Sequence, residues 1–466
     1  MKVNPGIRLM APLMAWLLVA PATALAKEPS GTFAVISDIH FNPFDPPDLA
    51  PRLAAAPPGD WAAIFATVED QKASSYGSDT NYALLKSAVD ALTRAAAGVD
   101  FVIVPGDFLA HDFERTAARA LGVGEDDPAV RNLTAKTTVF VAETLRAALP
   151  ATPLIPALGN DDAECGDYRI EPDGPFLAAT AAALRETLGK DALDPDFEET
   201  YLNGGYYAVR HPTVPDAVVI VLNDTLWSAK YDDSCGAGDP DGAADMLVWL
   251  EERLARAKGA GDSVWMVRHV PAGIDAYATA HSRAPTCAER ITPLLREPYA
   301  TRLPELMREY AAPVQASLTG HIHHDSYRIL TAPDGTILDV DKIVPAISPV
   351  FGQNPSFQIF RYEVTTGAPT GFETRYLSDL DAVSLSSPGT WKIEYDFADV
   401  YGMPDFSAQS VMAMWRSIAV PGPMRETFAR LYNVGHGSIS EEDMPSFLCA
   451  LRHVDVEAFA ACYCGG

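Results

Sequence analysis

The sequence predicts an α/β fold that ends in a small helical subdomain, and three observations carry that expectation. Apolar runs of strand length alternate with amphipathic helical stretches between residues 32 and 158. The alternation resumes between residues 217 and 319. Beyond about residue 379 the strand-like runs give way to helical ones. A β-α-β-α-β order argues for parallel strands covered on both faces.

Residues 32–37 form an apolar run without alternation, as a doubly covered strand does. A Pro-rich loop, 42–58, follows. In 81–97, Leu84, Leu85, Ala88, Val89 and Leu92 share one helical face, and Gly98 stands just past its end. The next elements are a strand at 101–104, a helix at 128–149 and a strand at 153–158. Strand 217–222, a helix near 241–258, and strands 264–267 and 315–319 continue the pattern. From 326 to 377, short strands separated by Asp-Gly and Thr-Gly turns suggest a second, antiparallel sheet. Helical patterns at 407–418, 423–432 and 441–451 fill the tail. The expected domains are a signal peptide at 1–26, a catalytic domain at 27–378 and the helical subdomain at 379–466.

The leader has Lys2 and Arg8 before an apolar core at 9–20, then Ala24-Leu25-Ala26 as a cleavage site. The core is too short for a comfortable bilayer span, so the chain is expected to be secreted or periplasmic, without a stable membrane anchor. Export makes disulfides plausible for Cys165, Cys235, Cys287, Cys449, Cys462 and Cys464. None of the six sits in a C-x-x-C zinc pattern. Cys462 and Cys464 are too close in sequence for an easy mutual bond, and Cys449–Cys462 is the expected clip between two C-terminal helices. The formal net charge of -27 opposes nucleic acid or other long polyanions. A small phosphoester remains a suitable partner, because metal ions would dominate the local field.

Five stretches carry the chemistry: Ser37-Asp38-Ile39-His40, Gly106-Asp107, Gly159-Asn160-Asp161-Asp162, Arg268-His269 and Gly320-His321-Ile322-His323. Each follows an expected strand, which predicts ligands lined up at strand ends on one edge of a sheet. Asp38, His40, Asp107, Asn160, His269, His321 and His323 form the mixed oxygen and nitrogen set that two borderline-soft divalent cations require. Asp107 is the candidate bridging carboxylate. The expected reaction is in-line attack on phosphorus by a water of lowered pKa held between cations ~3.5–4 Å apart. Each stretch alone is weak, since Gly-His-x-His is more often an ordinary loop and Asn160 could cap a helix. Their joint occurrence in this order is the signal.

With these blocks the chain resembles the calcineurin-like metallophosphoesterase superfamily. Within it, the chain is most similar to the acid sphingomyelinase-like phosphodiesterases. Three further stretches carry the closer likeness: Gly106 to Asp112 with its His111-Asp112, the Ser348-Pro349 to Asn354-Pro355 segment, and the tail around Cys449, Cys462 and Cys464. The resemblance implies a four-layer αββα sandwich. It implies one metal on Asp38, His40, Asp107 and His323, and the other on Asp107, Asn160, His269 and His321. It implies zinc, with manganese or iron also compatible with the donors.

The chain departs from the family pattern at Asp161, where a His is expected. Asp161 is an acid at low pH, a binder of a cationic substrate group or a lost function. His111 is the other candidate acid, or else a His bonded to Asp112 or Asp107. Asn223 and Asp224 end a strand on the active edge, and Asn223 is the candidate substrate contact. Tyr206, Tyr207, Trp227 and Tyr231 line a cleft or pack in the core. His281 and His324 are expected near the surface or behind the ligands.

The leading expectation is an exported phosphodiesterase acting on a soluble or amphiphilic diester, such as a nucleotide derivative or a phosphocholine-type or sphingomyelin-like ester. The first strand starts close behind the leader, which leaves no room for the lipid-binding domain that acid sphingomyelinase carries ahead of its catalytic part. The alternatives are a phosphomonoesterase of the same superfamily and a catalytically weak metal-binding relative. The purple acid phosphatase variant is disfavoured, because position 110 is Ala where it needs a ligand Tyr.

Overall fold

The computed structural model describes residues 1–2, 30–189, 192–232, 235 and 242–465. Apart from its first two residues, the expected signal peptide lies outside them. Among the described residues no helix is long and apolar enough to cross a membrane.

Among the described residues twelve strands form two six-stranded mixed sheets. The first has the order β12-β11-β10-β1-β2-β3, from β1 (Ser30–Val35), β2 (Phe101–Val104), β3 (Leu154–Pro156), β10 (Ser356–Glu363), β11 (Pro369–Leu377) and β12 (Trp391–Asp396). The second has the order β4-β5-β6-β7-β9-β8, from β4 (Tyr207–Arg210), β5 (Ala217–Val221), β6 (Ser263–Val267), β7 (Val314–Thr319), β8 (Ser326–Thr331) and β9 (Ile337–Ile343). β1, β2 and β3 run parallel, as do β5, β6, β7 and β9. Of these, β1, β2, β3, β6 and β7 bring their C-terminal ends to the site.

The two sheets face each other through aromatic rings. Phe33 of β1 stacks between Phe101 and Phe360 at 5.1 and 4.8 Å, and meets Trp265 of β6 edge-on at 4.9 Å. All four are fully buried. Offset and edge-to-face pairs of this kind add to the area term that dominates such an interface. Helices cover the outer faces. Tyr82–Ala95, capped by Asn81, and Pro175–Leu188 pack on the first sheet, and Pro128–Ala148 lies against both of them. Gly242–Ala260 and Tyr299–Glu309 cover the second. The result is the expected αββα sandwich.

Two expectations need correction. The strands after His324 do not make a sheet of their own. β8 and β9 extend the second sheet, while β10 inserts beside β1 and carries β11 and β12 with it. An alternating pattern identifies a half-buried strand and is silent on which sheet receives it. The first sheet also continues into β12, within the stretch expected to be helical, and the helical run starts at Phe397–Tyr401.

A buried polar hub holds the sheets together. Asp325 accepts from Lys342 Nζ (2.7 Å, β9), Gln358 Nε2 (2.8 Å, β10), Thr374 Oγ1 (2.9 Å, β11) and Tyr395 OH (2.8 Å, β12). A charge this deep persists only when its partners are complete.

Beside this hub, both carboxyl oxygens of Glu394 are buried, with no hydrogen-bond partner among the described residues. Burial and the Asp325 charge push Glu394 up to about 9 from the ordinary 4.5, against the pull of Arg430. A carboxyl raised in the folded state contributes its full stability below the unfolded value of 4.5. That contribution is lost as pH rises towards about 9. Glu394→Gln should therefore raise the melting temperature by a few degrees at pH 8 and leave it unchanged at pH 4. Calorimetry at the two values checks it, and equal shifts at both would contradict the assignment.

All six cysteines are paired: Cys449–Cys462 as expected, with Cys165–Cys235 and Cys287–Cys464.

Candidate metal centre

The candidate ligands emerge from the ends of β1, β2, β3, β6 and β7, so they come from two facing sheets and not from one sheet edge as expected. Asp38, His40, Asp107, His321 and His323 all have positive φ, between 44° and 71°. Left-handed backbone costs a non-glycine residue on the order of 1–3 kcal/mol, and its concentration at one point marks function. The strain is held by bonds between the turns. Asp38 N donates to Gly106 O (3.1 Å), His40 N to Asp107 O (3.0 Å) and His321 N to Asp38 Oδ1 (2.8 Å). Close approach explains two of the glycines. A Cβ on Gly106 would lie 2.6 Å from Gly159 N, and one on Gly320 would collide with Ser37 Oγ and Asp38 Oδ2.

Among the described residues the expected ligands gather in two groups that share Asp107, and a third group joins His111 to His40 and His323. In the first, His40 Nε2 lies 3.0 Å from His323 Nε2 and 3.3 Å from Asp107 Oδ2, and His323 Nε2 lies 3.5 Å from Asp38 Oδ1. In the second, His269 Nε2 lies 2.9 Å from Asp107 Oδ2 and 3.0 Å from Asn160 Oδ1. His321 enters through Nδ1, 2.7 Å from Asn160 Oδ1 and 3.3 Å from His269 Nε2. The Asp107 Oδ2 atom thus faces both groups.

These donors fit divalent cations. His40 Nδ1 donates to Leu109 O (2.9 Å) and His269 Nδ1 to Pro105 O (2.8 Å). In their neutral form both rings then present an Nε2 lone pair to the cluster. Burial works against a charged imidazole, yet Asp107 holds His40 up at about 9 and His269 up at about 10. The same field favours any cation placed among the rings, so protons and metal ions compete for the site.

A buried frame fixes the ligands. Asp162 accepts from four backbone N–H groups, those of Asp107 (2.9 Å), Phe108 (2.8 Å), Leu109 (3.2 Å) and Gly159 (2.8 Å), and so welds the β2 turn to the β3 turn. Asp224 Oδ1 accepts from His269 N (3.1 Å) and Val270 N (2.9 Å). Asp167 Oδ1 accepts from Asn160 Nδ2 at 2.6 Å, which turns Asn160 Oδ1 towards the rings. Asp167 escaped the sequence reading because nothing in Cys165-Gly166-Asp167 marks it.

His111 stacks on His40 at 4.0 Å. Its Nδ1 pairs with Asp79 Oδ1 (3.0 Å), not with Asp112 or Asp107, the partners named in the alternative to the acid role, and its backbone N donates to Asp79 Oδ2 (2.9 Å). Asp79 also accepts from Ser348 Oγ (2.9 Å), which joins the Ser348-Pro349 segment to the site. Burial alone would raise Asp79, but the His111 hydrogen bond and the His40 charge hold it below the usual value. Asp79 lies 32 residues from His111 in sequence, so no local spacing points to it.

Asp161 Oδ2 lies 3.4 Å from His40 Nδ1 and 3.8 Å from His111 Nε2. It is 4% exposed and lies behind the cavity surface. Burial and the Asp107 charge push it well up.

A cavity of about 600 Å³ opens over the donors. Phe351, 58% exposed, stands over His323 and His111 with ring centroids 4.6 and 5.6 Å away. Tyr432, Phe447 and Leu451 of the C-terminal helices form the far wall, beside His324. Asn223 is placed elsewhere. It is fully buried, donates to Gly204 O at 3.0 Å and does not line the cavity, because the chain turns into the core at Asp224–Trp227. Tyr206, Tyr207 and Trp227 are core residues, and Tyr231 lies off the cavity. His281 is exposed and stacks on Tyr277.

The mixed-sheet sandwich thus brings two Asp/His groups together at its strand ends, a donor set suited to divalent cations. No family model matches the chain. The rat cyclic GMP-AMP phosphodiesterase SMPDL3A is 25% identical over 477 residues, covering 98% of each chain. The human acid sphingomyelinase-like phosphodiesterase 3b is 25% identical over 472 residues, covering 97% of this chain and 94% of that one. Along nearly its whole length the chain is thus similar to acid sphingomyelinase-like phosphodiesterases. Among solved structures, the calcineurin-like phosphoesterase YfkN from Bacillus subtilis aligns with 79% of this chain and 90% of that chain, at 9% identity and a TM-score of 0.32.

Proposed function

We propose that the chain is an exported, metal-dependent phosphodiesterase that hydrolyses a soluble or amphiphilic phosphodiester. The observation that carries this reading is the position of Asp107 Oδ2, between His40 and His269 and within both donor groups. The residues named above would hold two divalent cations there, with zinc suited to four imidazoles. When bound, the cations supply charge stabilisation for phosphoryl oxygens and an activated water. The names of the full-length relatives support a diester as substrate, and the cyclic GMP-AMP enzyme among them supports a nucleotide derivative. Three disulfides support export, as does the leader at residues 1–26.

Within this reading each residue has a task. Asp162, Asp224 and Asp167 keep the ligands in place. His111 faces the cavity with Asp79 fixing its Nδ1, so its Nε2 is placed to give a proton to the leaving oxygen. Asp161 Oδ2 lies 3.8 Å from the same Nε2, beyond hydrogen-bond distance, and Asp161 does not line the cavity. His111→Ala should slow p-nitrophenyl diesters about tenfold and alkyl diesters at least a hundredfold, because the poor leaving group depends far more on the proton. Equal losses on the two would remove the acid role.

The reading itself is tested on mature protein loaded with zinc or manganese, with bis-p-nitrophenyl phosphate against p-nitrophenyl phosphate. A clear preference for the diester is expected. Preference for the monoester would make the chain a phosphatase, and no metal-dependent turnover of either would leave it a binding protein.

A further inference from the structure

The loop between β3 and the helix Pro175–Leu188 buries carboxyl groups that the metal centre does not use. Glu164 is 1% exposed, and neither of its carboxyl oxygens meets a hydrogen-bond partner in another described residue. A buried carboxylate is costly without a partner, so such a group holds a proton or a cation. Glu114 is 9% exposed, in the first turn of the helix Phe113–Leu121, and reaches the same loop. A Cβ on Gly166 would lie 3.8 Å from Glu114 Oε2. Gly174 leaves a second cradle open, since a Cβ there would meet Glu171 O at 2.6 Å and Glu164 Oε1 at 3.0 Å. A carbonyl and a carboxyl oxygen thus converge beside one backbone point, with no side chain between them.

The charges around this loop are largely acidic. Burial raises Glu164 to about 7, Glu171 and Glu114 add to the shift, and Arg131 opposes it. Burial likewise raises Glu114 to about 7, with Asp167, Glu125 and Asp112 as like charges. The guanidinium groups at hand pair elsewhere, Arg131 with Asp126 at 4.0 Å and Arg169 with Asp232 at 3.6 Å. The donors are all oxygen, unlike the imidazole-rich centre. Such a set selects a hard cation, and calcium accepts an irregular shell of about six to eight oxygens, completed by water.

We propose that Glu164, Glu114 and the Glu171 carbonyl bind a calcium-class divalent cation that braces this loop. The site is distinct from the metal centre, and the inference does not depend on the phosphodiesterase reading. The loop serves that centre indirectly. Asp167 turns Asn160 towards the rings, and Tyr168 N donates to Asn160 O at 2.8 Å. The Cys165–Cys235 disulfide already ties the loop down, and the cation adds a tie at its carboxylates. With two carboxylates the expected Kd is on the order of 10⁻⁴–10⁻³ M, as in extracellular calcium modules.

The test uses mature protein already loaded with zinc, so that added calcium reads the loop. Calcium chloride at about 5 mM should raise Tm by about 3 °C, and equal magnesium by less than half as much. Glu164→Gln should abolish the calcium response. Without calcium it should melt no lower than wild type, because it removes a buried carboxyl that lacks a partner. Asp107→Asn should keep the response, which separates the loop from the metal centre. Calorimetric titration with calcium should show binding in wild type, none in Glu164→Gln and at least about tenfold weaker binding in Glu114→Gln. Trypsin cleavage after the exposed Arg169 should slow with calcium in wild type and not in Glu164→Gln. No calcium response in wild type would overturn the proposal, and so would a response that survives Glu164→Gln. A lower Tm in Glu164→Gln, with no calcium response in wild type, would instead make Glu164 a partner of the helix N-terminus at Gly174.

Discussion

Asp107→Asn should empty both cation positions and lower bis-p-nitrophenyl phosphate turnover by at least about a thousandfold, the largest loss of any conservative substitution in the chain. The side chain is fully used. Its Oδ1 accepts from Asp161 N at 2.9 Å, and its Oδ2 faces His269 and His40 at 2.9 and 3.3 Å. Asparagine preserves the shape and removes the charge that two cations would share. It also removes the field that holds His40 up at about 9 and His269 up at about 10, against burial. Elemental analysis of the purified variant beside its turnover checks the prediction. Full metal content with lost turnover would assign Asp107 to the chemistry and not to retention. Turnover within tenfold of wild type would contradict the shared-ligand role.

Asp162→Ala is expected to act on stability first. Four buried N–H groups lose their acceptor at once, and each unsatisfied group costs about 1–3 kcal/mol. The losses are not additive, since the turns would relax, so a destabilisation of about 4 kcal/mol is expected. For a chain of this size that corresponds to a fall in melting temperature of about 5 °C or more. The variant should also bind metal poorly, because the freed turns carry Asp107 and Asn160. A melting temperature within 1 °C of wild type would show that these N–H groups find other partners.

The sequence made the ligands legible because the chemistry is written next to the strands. Asp38-Ile39-His40 and His321-Ile322-His323 each place two donors on one tight turn, and Gly106 and Gly320 mark where turns must touch. The supporting carboxylates were not legible. Asp79 reaches His111 across 32 residues and Asp224 reaches His269 across 45, so their partners are set by the fold and not by local spacing. The allocation of β8 to β12 was hidden for a related reason. Their alternation says which side faces a core, and both sheets offer one. The Cys449–Cys462 bridge was within reach because its two helices are neighbours in sequence, whereas Cys165–Cys235 and Cys287–Cys464 close loops of 70 and 177 residues.

The central claim is that Asp107 serves two cations at once. Anomalous diffraction from crystals of zinc-loaded wild-type protein tests it most directly. The account predicts two peaks ~3.5–4 Å apart on either side of Asp107 Oδ2, one among Asp38, His40 and His323 and the other among Asn160, His269 and His321. One peak, or two that do not share Asp107, would contradict it.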